Sequence, residues 1–212
     1  MLTLYTAWGT IGLACEIALE EAGAAYEAKR LSFADNAQRA ADFLAVNPKS
    51  RVPALATDRG VITEAPAILA YVARAFPKAR LAPEGDAFAL AQLESFAAYL
   101  CSWVHPAAAH RHRGYRWADD PAAIADMRRK APLNFAEAMD LIDRELFLGP
   151  WVLGDAYSYG DPYLYTVATW ISRDGLNMAD YPNIAAHFAR MEARPAVIAV
   201  RERVEAARVA AG

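Results

Sequence analysis

The chain reads as two units in series: a mixed α/β unit built on a four-stranded sheet over residues 1–78, and an all-helical unit over residues 86–212. Three observations carry this reading. Strand-like and helix-like patterns alternate as far as Phe76 in the order β-α-β-α-β-β-α. The stretch Pro77 to Gly85, PKARLAPEG, has the composition of a linker, with 79–85 as the connection itself. Everything beyond it shows helical spacing and no convincing strand pattern.

Taken in order, Leu2 to Thr6 is apolar and β-prone, and Thr10 to Ala22 is helical through Leu13, Ile17 and Ala18. Gly23 suits the position after that helix, where a left-handed backbone closes the last turn. Tyr26 to Phe33 reads as a strand and Ala37 to Val46 as a helix. A short strand starts at Val52-Pro53, turns at Asp58-Arg59-Gly60 into a second short strand, and a helix runs from Glu64 to Phe76. A strand–helix–strand unit favours parallel pairing and a tight turn favours an antiparallel hairpin, so the sheet is expected to be mixed, with three helices.

In the second unit, Leu90, Leu93, Ala97, Leu100 and Val104 give Phe88 to Val104 helical spacing. Pro121 to Leu148 reads as a helix interrupted or kinked at Pro132. Ser158 and Asp161 have the spacing of a capping box. The helix after them, Tyr163 to Arg173, is apolar nearly all round and is expected to be the buried central one. Two last helices, Asn183 to Ala193 and Ala196 to Ala207, flank Pro195.

Composition narrows the function. The 212 residues are 56% hydrophobic, enough for a sizeable core, and no apolar run reads as long enough to span a bilayer. A net charge of −3 and a pI near 5.8 argue against general nucleic-acid binding. Cys15 and Cys101 lack CxxC spacing, so neither a disulfide framework nor a zinc site is expected. With no signal peptide ahead of the first strand pattern, a reducing cytoplasm is the expected compartment.

The most informative stretch is Asn47 to Val72, NPKSRVPALATDRGVITEAPAILAYV. Proline is tolerated at the first residue of a strand because its missing N–H need not join the ladder. A cis Val52-Pro53 bond would turn the N–H and C=O of Val52 outward, where an extended peptide could pair with them. The helix start at Glu64 offers unpaired N–H groups and a positive dipole end to a carboxylate, and Glu64 itself could accept from an ammonium group. The implied ligand is a small peptide with a free carboxylate and a free amine. As a structural residue alone, Glu64 would be a first-turn acid favouring the helix dipole.

These features resemble the cytosolic glutathione transferase superfamily over nearly the full length. The residues that carry the resemblance are Leu2-Thr3-Leu4-Tyr5, Asn47-Pro48 with Arg51-Val52-Pro53-Ala54-Leu55, Thr63-Glu64-Ala65-Pro66-Ala67-Ile68, and Leu153-Gly154-Asp155 through Ser158 to Asp161. Thr63 to Val72 together with Leu81-Ala82-Pro83 looks most like the bacterial beta class. The resemblance implies a thioredoxin-like first unit, a helical-bundle second unit, and a homodimer in which the small unit of one chain meets the helical unit of the other.

It also implies roles. Val52 would pair with the cysteinyl backbone of glutathione beside Pro53, while Glu64 and the N–H of Ala65 would hold the γ-glutamyl end. Arg51, Ser102 and His105 would complete the glutathione set. Family members often carry a Ser where Ala65 stands. Beta-class proteins carry a Cys near the start of the first helix, and Ile11 occupies that place, so the chain lacks the class cysteine. Thr10, one residue earlier, is the candidate to hydrogen-bond the thiolate; its alternative role is a helix N-cap. Tyr5 is expected to be a packed strand residue and Cys15 a buried one. Trp8, Ile11, His105 and His112 are the candidate walls of a pocket for a small hydrophobic electrophile.

His110-Arg111-His112-Arg113-Gly114-Tyr115-Arg116-Trp117 is expected to be a solvated helix end near the cleft mouth. His110 and His112, two apart on a helix, make a poor metal pair, and no metal is expected. The expected activity is thiolate attack of glutathione on an electrophile, with glutathione as substrate and no cofactor. The alternative is a glutathione-binding protein with little catalysis, serving ligand carriage or protein interaction.

Overall fold

The structure, a computed structural model, describes residues 1–210. Strands β1 (Leu2–Thr6), β2 (Tyr26–Arg30), β3 (Ala54–Thr57) and β4 (Gly60–Thr63) form one mixed sheet in the order β2-β1-β3-β4. β1 and β2 are parallel; β1 with β3 and β3 with β4 are antiparallel. The first crossover is helix α1 (Gly12–Glu21). It ends in a six-to-one closure: Ala24 N–H donates to Leu19 C=O at 3.0 Å and Gly23 N–H to Glu20 C=O at 2.9 Å, with Gly23 at φ +61°.

Several boundaries differ from the sequence reading. α1 starts at Gly12, which leaves Thr10 in the preceding loop. β2 stops at Arg30, since only Leu31 still reaches β1, its N–H donating to Thr6 C=O at 2.8 Å. The helix expected over Ala37 to Val46 is a single tight turn, Ala37–Arg39, and then α2 (Ala41–Val46), because extended backbone at Ala40 (ψ 147°) separates them. After the β3–β4 hairpin, α3 (Ala65–Ala75) begins one residue beyond Glu64, which takes φ 73°.

The second part is helical. α4 (Ala87–Tyr99) is capped by Asp86, whose carboxylate accepts from the N–H groups of Phe88 and Ala89 at 3.0 Å. It continues through a wide-turn segment, Leu100–Val104, into α5 (His105–Arg113). Pro106 accounts for the wide turn: it has no N–H for the carbonyl four residues back, and its ring crowds that carbonyl.

This continuous helix corrects the expectation about apolar runs. Through Arg116 it spans 30 residues with an 18-residue window of mean hydropathy 1.2, long and apolar enough to cross a membrane by length and composition. Here Leu93, Phe96, Leu100, Val104 and Ala108 are buried in the core instead.

α6 (Pro121–Leu141) passes Pro132 without interruption, so of the expected interruption or kink the first does not occur. Burial of Ala131, Phe135, Ala138 and Met139 offsets the one lost backbone bond. α7 (Gly160–Ala168), in which every residue is buried, is the central helix, and it stops short of Arg173. α8 (Pro182–Glu192) and α9 (Pro195–Ala210) close the chain.

At the start of α7, Asp161 accepts from the N–H groups of Val152 (2.8 Å) and Ser158 (2.7 Å), and Ser158 Oγ accepts from Gly160 N–H at 3.2 Å. Leu4, Leu55 and Ile68 of the sheet unit share one core with Phe135, Tyr163 and Leu164 of the helical unit. The C-terminal helices clasp α1 through Arg194–Glu21 (2.8 Å) and Arg203–Glu20 (2.9 Å).

Candidate functional site

Strand register assembles the site. Tyr5 pairs with Ala54, and Ala54 with Thr63. The loop after β1, the Val52-Pro53 peptide before β3 and the Glu64 helix start after β4 therefore share one end of the sheet. The Val52-Pro53 bond is cis. Neither the N–H nor the C=O of Val52 has a hydrogen-bond partner among the described residues. Asn47, buried, ties the approach to it: its Nδ2 donates to Arg51 C=O at 2.6 Å and its Oδ1 accepts from Lys49 N–H at 3.2 Å.

At the α3 start, Ile68 N–H donates to Glu64 C=O at 3.0 Å, while the N–H groups of Ala65 and Ala67 have no acceptor among the described residues. These unpaired donors face an approaching carboxylate favourably. Glu64 is half-exposed and already paired: Lys49 Nζ lies 2.6 Å from its carboxylate and 2.8 Å from Thr63 Oγ1. Lys49 escaped sequence reasoning, although its place in Asn47-Pro48-Lys49, feeding the cis-proline loop, is a usable signal.

At the α1 start, Thr10 Oγ1 donates to Ala7 C=O at 2.7 Å and accepts from Gly12 N–H at 3.4 Å. The hydroxyl thus braces the helix entry from one residue before the formal cap, Ile11. The N–H groups of Thr10 and Ile11 have no partner among the described residues. A Cβ on Gly12 would sit 2.0 Å from Thr6 Oγ1, so only glycine lets α1 approach β1 this closely.

The remaining candidates divide. His105 begins α5 with its ring centroid 5.0 Å from that of Trp170. Its pKa is pushed down to about 4, by burial first and then by Arg113, Arg173, Arg51 and Arg116. Ser102 is exposed on a groove of about 400 Å³ between α3 and α4, beside Pro66, Ala67 and Cys101. Trp8 keeps a buried Nε1–H without an acceptor. Ile11 is only 3% exposed and belongs to the core, so it offers an electrophile pocket little surface. His112 is half-exposed and turned to Asp174, at 3.7 Å.

Tyr5 packs on Phe43, and Cys15 is fully buried, its thiol pKa pushed far up by desolvation. The basic run is less solvated than expected: the His110 ring packs tilted against Trp117, with centroids 4.2 Å apart, and Arg113 is partly buried against Phe33.

Comparison with known proteins fits this geometry. Residues 1–74 match the profile of the glutathione S-transferase N-terminal domain, and residues 125–195 that of the C-terminal domain. The chain is 30% identical to the glutathione S-transferase GstA of Escherichia coli O157:H7, over 89% of this chain and 92% of that one. Among solved structures, a glutathione transferase homologue from Sulfitobacter with bound glutathione superposes with a TM-score of 0.93 at 43% identity, covering 96% of this chain and 98% of the other. A beta-class glutathione S-transferase from Sphingomonas chungbukensis gives 0.82 at 33% identity, covering 95% and 98%.

Proposed function

The chain belongs to the glutathione S-transferase family, and from that premise we infer that it binds glutathione and transfers it, as a thiolate, to an electrophile. The observation that carries the reading is the set of unpaired backbone groups at one end of the sheet: Val52 N–H and C=O, Ala65 and Ala67 N–H, and Thr10 and Ile11 N–H. They match a bound tripeptide in kind. Val52 pairs with the cysteinyl residue in an extended, strand-like contact. Glu64 takes the γ-glutamyl ammonium and the α3 N–H groups its carboxylate. As Glu64 turns to the ammonium, Lys49 is released to a second acid oxygen. Arg51, next to Val52, takes the glycyl carboxylate, with Ser102 and His105 completing the set.

The sulfur then meets the α1 start. A thiol is a poor nucleophile until deprotonated, and each unit of pKa depression needs about 1.4 kcal/mol of preference for the thiolate. The unpaired N–H groups of Thr10 and Ile11, at the positive end of α1, supply it without rearrangement. The Thr10 hydroxyl adds to it by turning from Ala7 C=O to the sulfur. His105, neutral near pH 7, is a hydrogen-bonding and packing group there. Trp8 and His105 wall the second-substrate side; His112 stands at its rim.

A homodimer and a cytoplasmic, detoxifying role complete the proposal. The α3–α4 groove and the exposed Phe88 on α4 support the dimer, and its test is solution mass at micromolar concentration. Glutathione is the substrate and no further cofactor is needed. The test of function is calorimetric glutathione binding beside turnover with a panel of electrophiles. Tight binding with no turnover would favour the ligand-carriage alternative.

A further inference from the structure

The helical side of the cleft holds more positive charge than glutathione needs. Arg113 reaches across from the end of α5, its guanidinium 5.9 Å from the ring centre of Phe33 in the loop after β2. Arg113 is partly buried, and no carboxylate lies within 4 Å of it among the described residues; Arg116 and Arg51 are exposed and likewise have no carboxylate within that distance. Arg173 lies over Trp170, 5.0 Å from the ring centre, and Trp170 in turn touches His105.

The one buried acid nearby, Asp174, is shared three ways, at 3.8 Å from Arg111, 3.7 Å from His112 and 3.9 Å from Arg173. One buried carboxylate among the five guanidiniums of Arg51, Arg111, Arg113, Arg116 and Arg173 leaves this group net positive in a chain whose overall charge is −3. The same cations, Arg113, Arg173, Arg51 and Arg116, add to burial, the larger cause, in lowering the basicity of His105. The buried Trp170 Nε1–H and Trp8 Nε1–H also lack acceptors, which leaves the neighbourhood rich in donors.

Burying a guanidinium without a partner is costly, and a carboxylate that arrives in the site removes that cost while forming two charge-assisted hydrogen bonds. Arg51 sits beside Val52 and is accounted for by the glycyl carboxylate of glutathione. Arg113 and Arg116 are not. We propose that the second substrate is a small electrophile bearing a carboxylate, which Arg113 and Arg116 hold in the cleft beside the thiolate. The proposal rests on the glutathione transferase reading and narrows its substrate class.

The test uses one reacting centre with and without the charge: 4-chloro-3,5-dinitrobenzoate and its methyl ester. In both, the thiolate carbon–sulfur bond forms as chloride leaves with the bonding electron pair. Each rate is divided by its uncatalysed rate. The wild-type protein should prefer the acid by tenfold or more in kcat/KM.

Arg113→Gln should cut the acid-to-ester ratio about tenfold, and Arg113→Lys should restore part of it. Arg59→Gln, in the hairpin turn at the opposite end of the sheet, removes the same charge and should leave the ratio alone. A wild-type ratio near one, or a ratio that Arg113→Gln leaves unmoved, overturns the proposal. So does a fall in glutathione affinity as large as the fall for the acid, which would assign Arg113 to glutathione. Bound glutathione with turnover of neither compound overturns the transferase reading, and this proposal with it.

Discussion

Thr10→Val separates the two ways the α1 start can stabilise a thiolate. Valine keeps the branched shape and removes the hydroxyl. A hydrogen bond to a charged acceptor is worth about 1.5–3 kcal/mol and a neutral one about 0.5–1.5. In this protein the hydroxyl is already engaged with Ala7 C=O at 2.7 Å, so turning it to sulfur gains only the difference, roughly 1–1.5 kcal/mol. Thr10→Val should therefore raise the pKa of bound glutathione by about one unit, with the Thr10 and Ile11 N–H groups holding the rest of the depression. Loss of the brace to Ala7 and Gly12 should cost about 1 kcal/mol of folding stability as well.

Thiolate absorbance of the complex, titrated with pH, reads the first effect, and urea denaturation reads the second. Stability lost with an unmoved pKa would make Thr10 a helix brace only. A rise beyond two units would mean that the hydroxyl, and not the backbone, carries the activation.

Other outcomes follow from the same geometry. Glu64→Ala should weaken glutathione binding about tenfold by calorimetry; the loss is tempered because the exposed Lys49–Glu64 pair is itself worth at most about 1 kcal/mol. Gly12→Ala, with a Cβ 2.0 Å from Thr6 Oγ1, should cost about 1–3 kcal/mol and disturb turnover by moving the α1 entry. Asp161→Ala, which strips two buried N–H groups of their acceptor, should cost about 3–5 kcal/mol by denaturant unfolding.

His105 makes stability pH-dependent. Its folded pKa, about 4, lies below its usual 6.5, so the unfolded chain binds the proton first. Stability from this group is full above about pH 6.5 and declines as pH falls towards 4, by roughly 2 kcal/mol between pH 7.5 and 5. Denaturant unfolding at the two pH values should show a smaller difference in His105→Gln.

Local pattern carried most of the fold. The succession of elements, the Asp58-Arg59 hairpin and the Gly23 closure all depend on residues close in sequence, and Val52-Pro53 with Glu64 marked the sheet end where the unpaired groups gather. What stayed hidden depends on distant residues. The Lys49–Glu64 pair spans a hairpin. The guanidinium group around His105 gathers Arg51, Arg113, Arg116 and Arg173 from both units, and no window of sequence brings them together. Ile11, expected as a pocket wall, lies in the core for a related reason: the loop before α1 turns it inward. The helix expected over Phe88 to Val104 runs on into α5 because a wide turn accommodates Pro106. The uninterrupted passage of α6 through Pro132 shows the same limit, with buried packing outweighing one missing donor.

The most direct test of the account is whether the purified protein forms a glutathione conjugate faster than the uncatalysed reaction, with the product identified by mass. The account predicts a rate that saturates with glutathione and falls in Glu64→Ala at subsaturating glutathione. Saturable glutathione binding with no conjugate above background would contradict it.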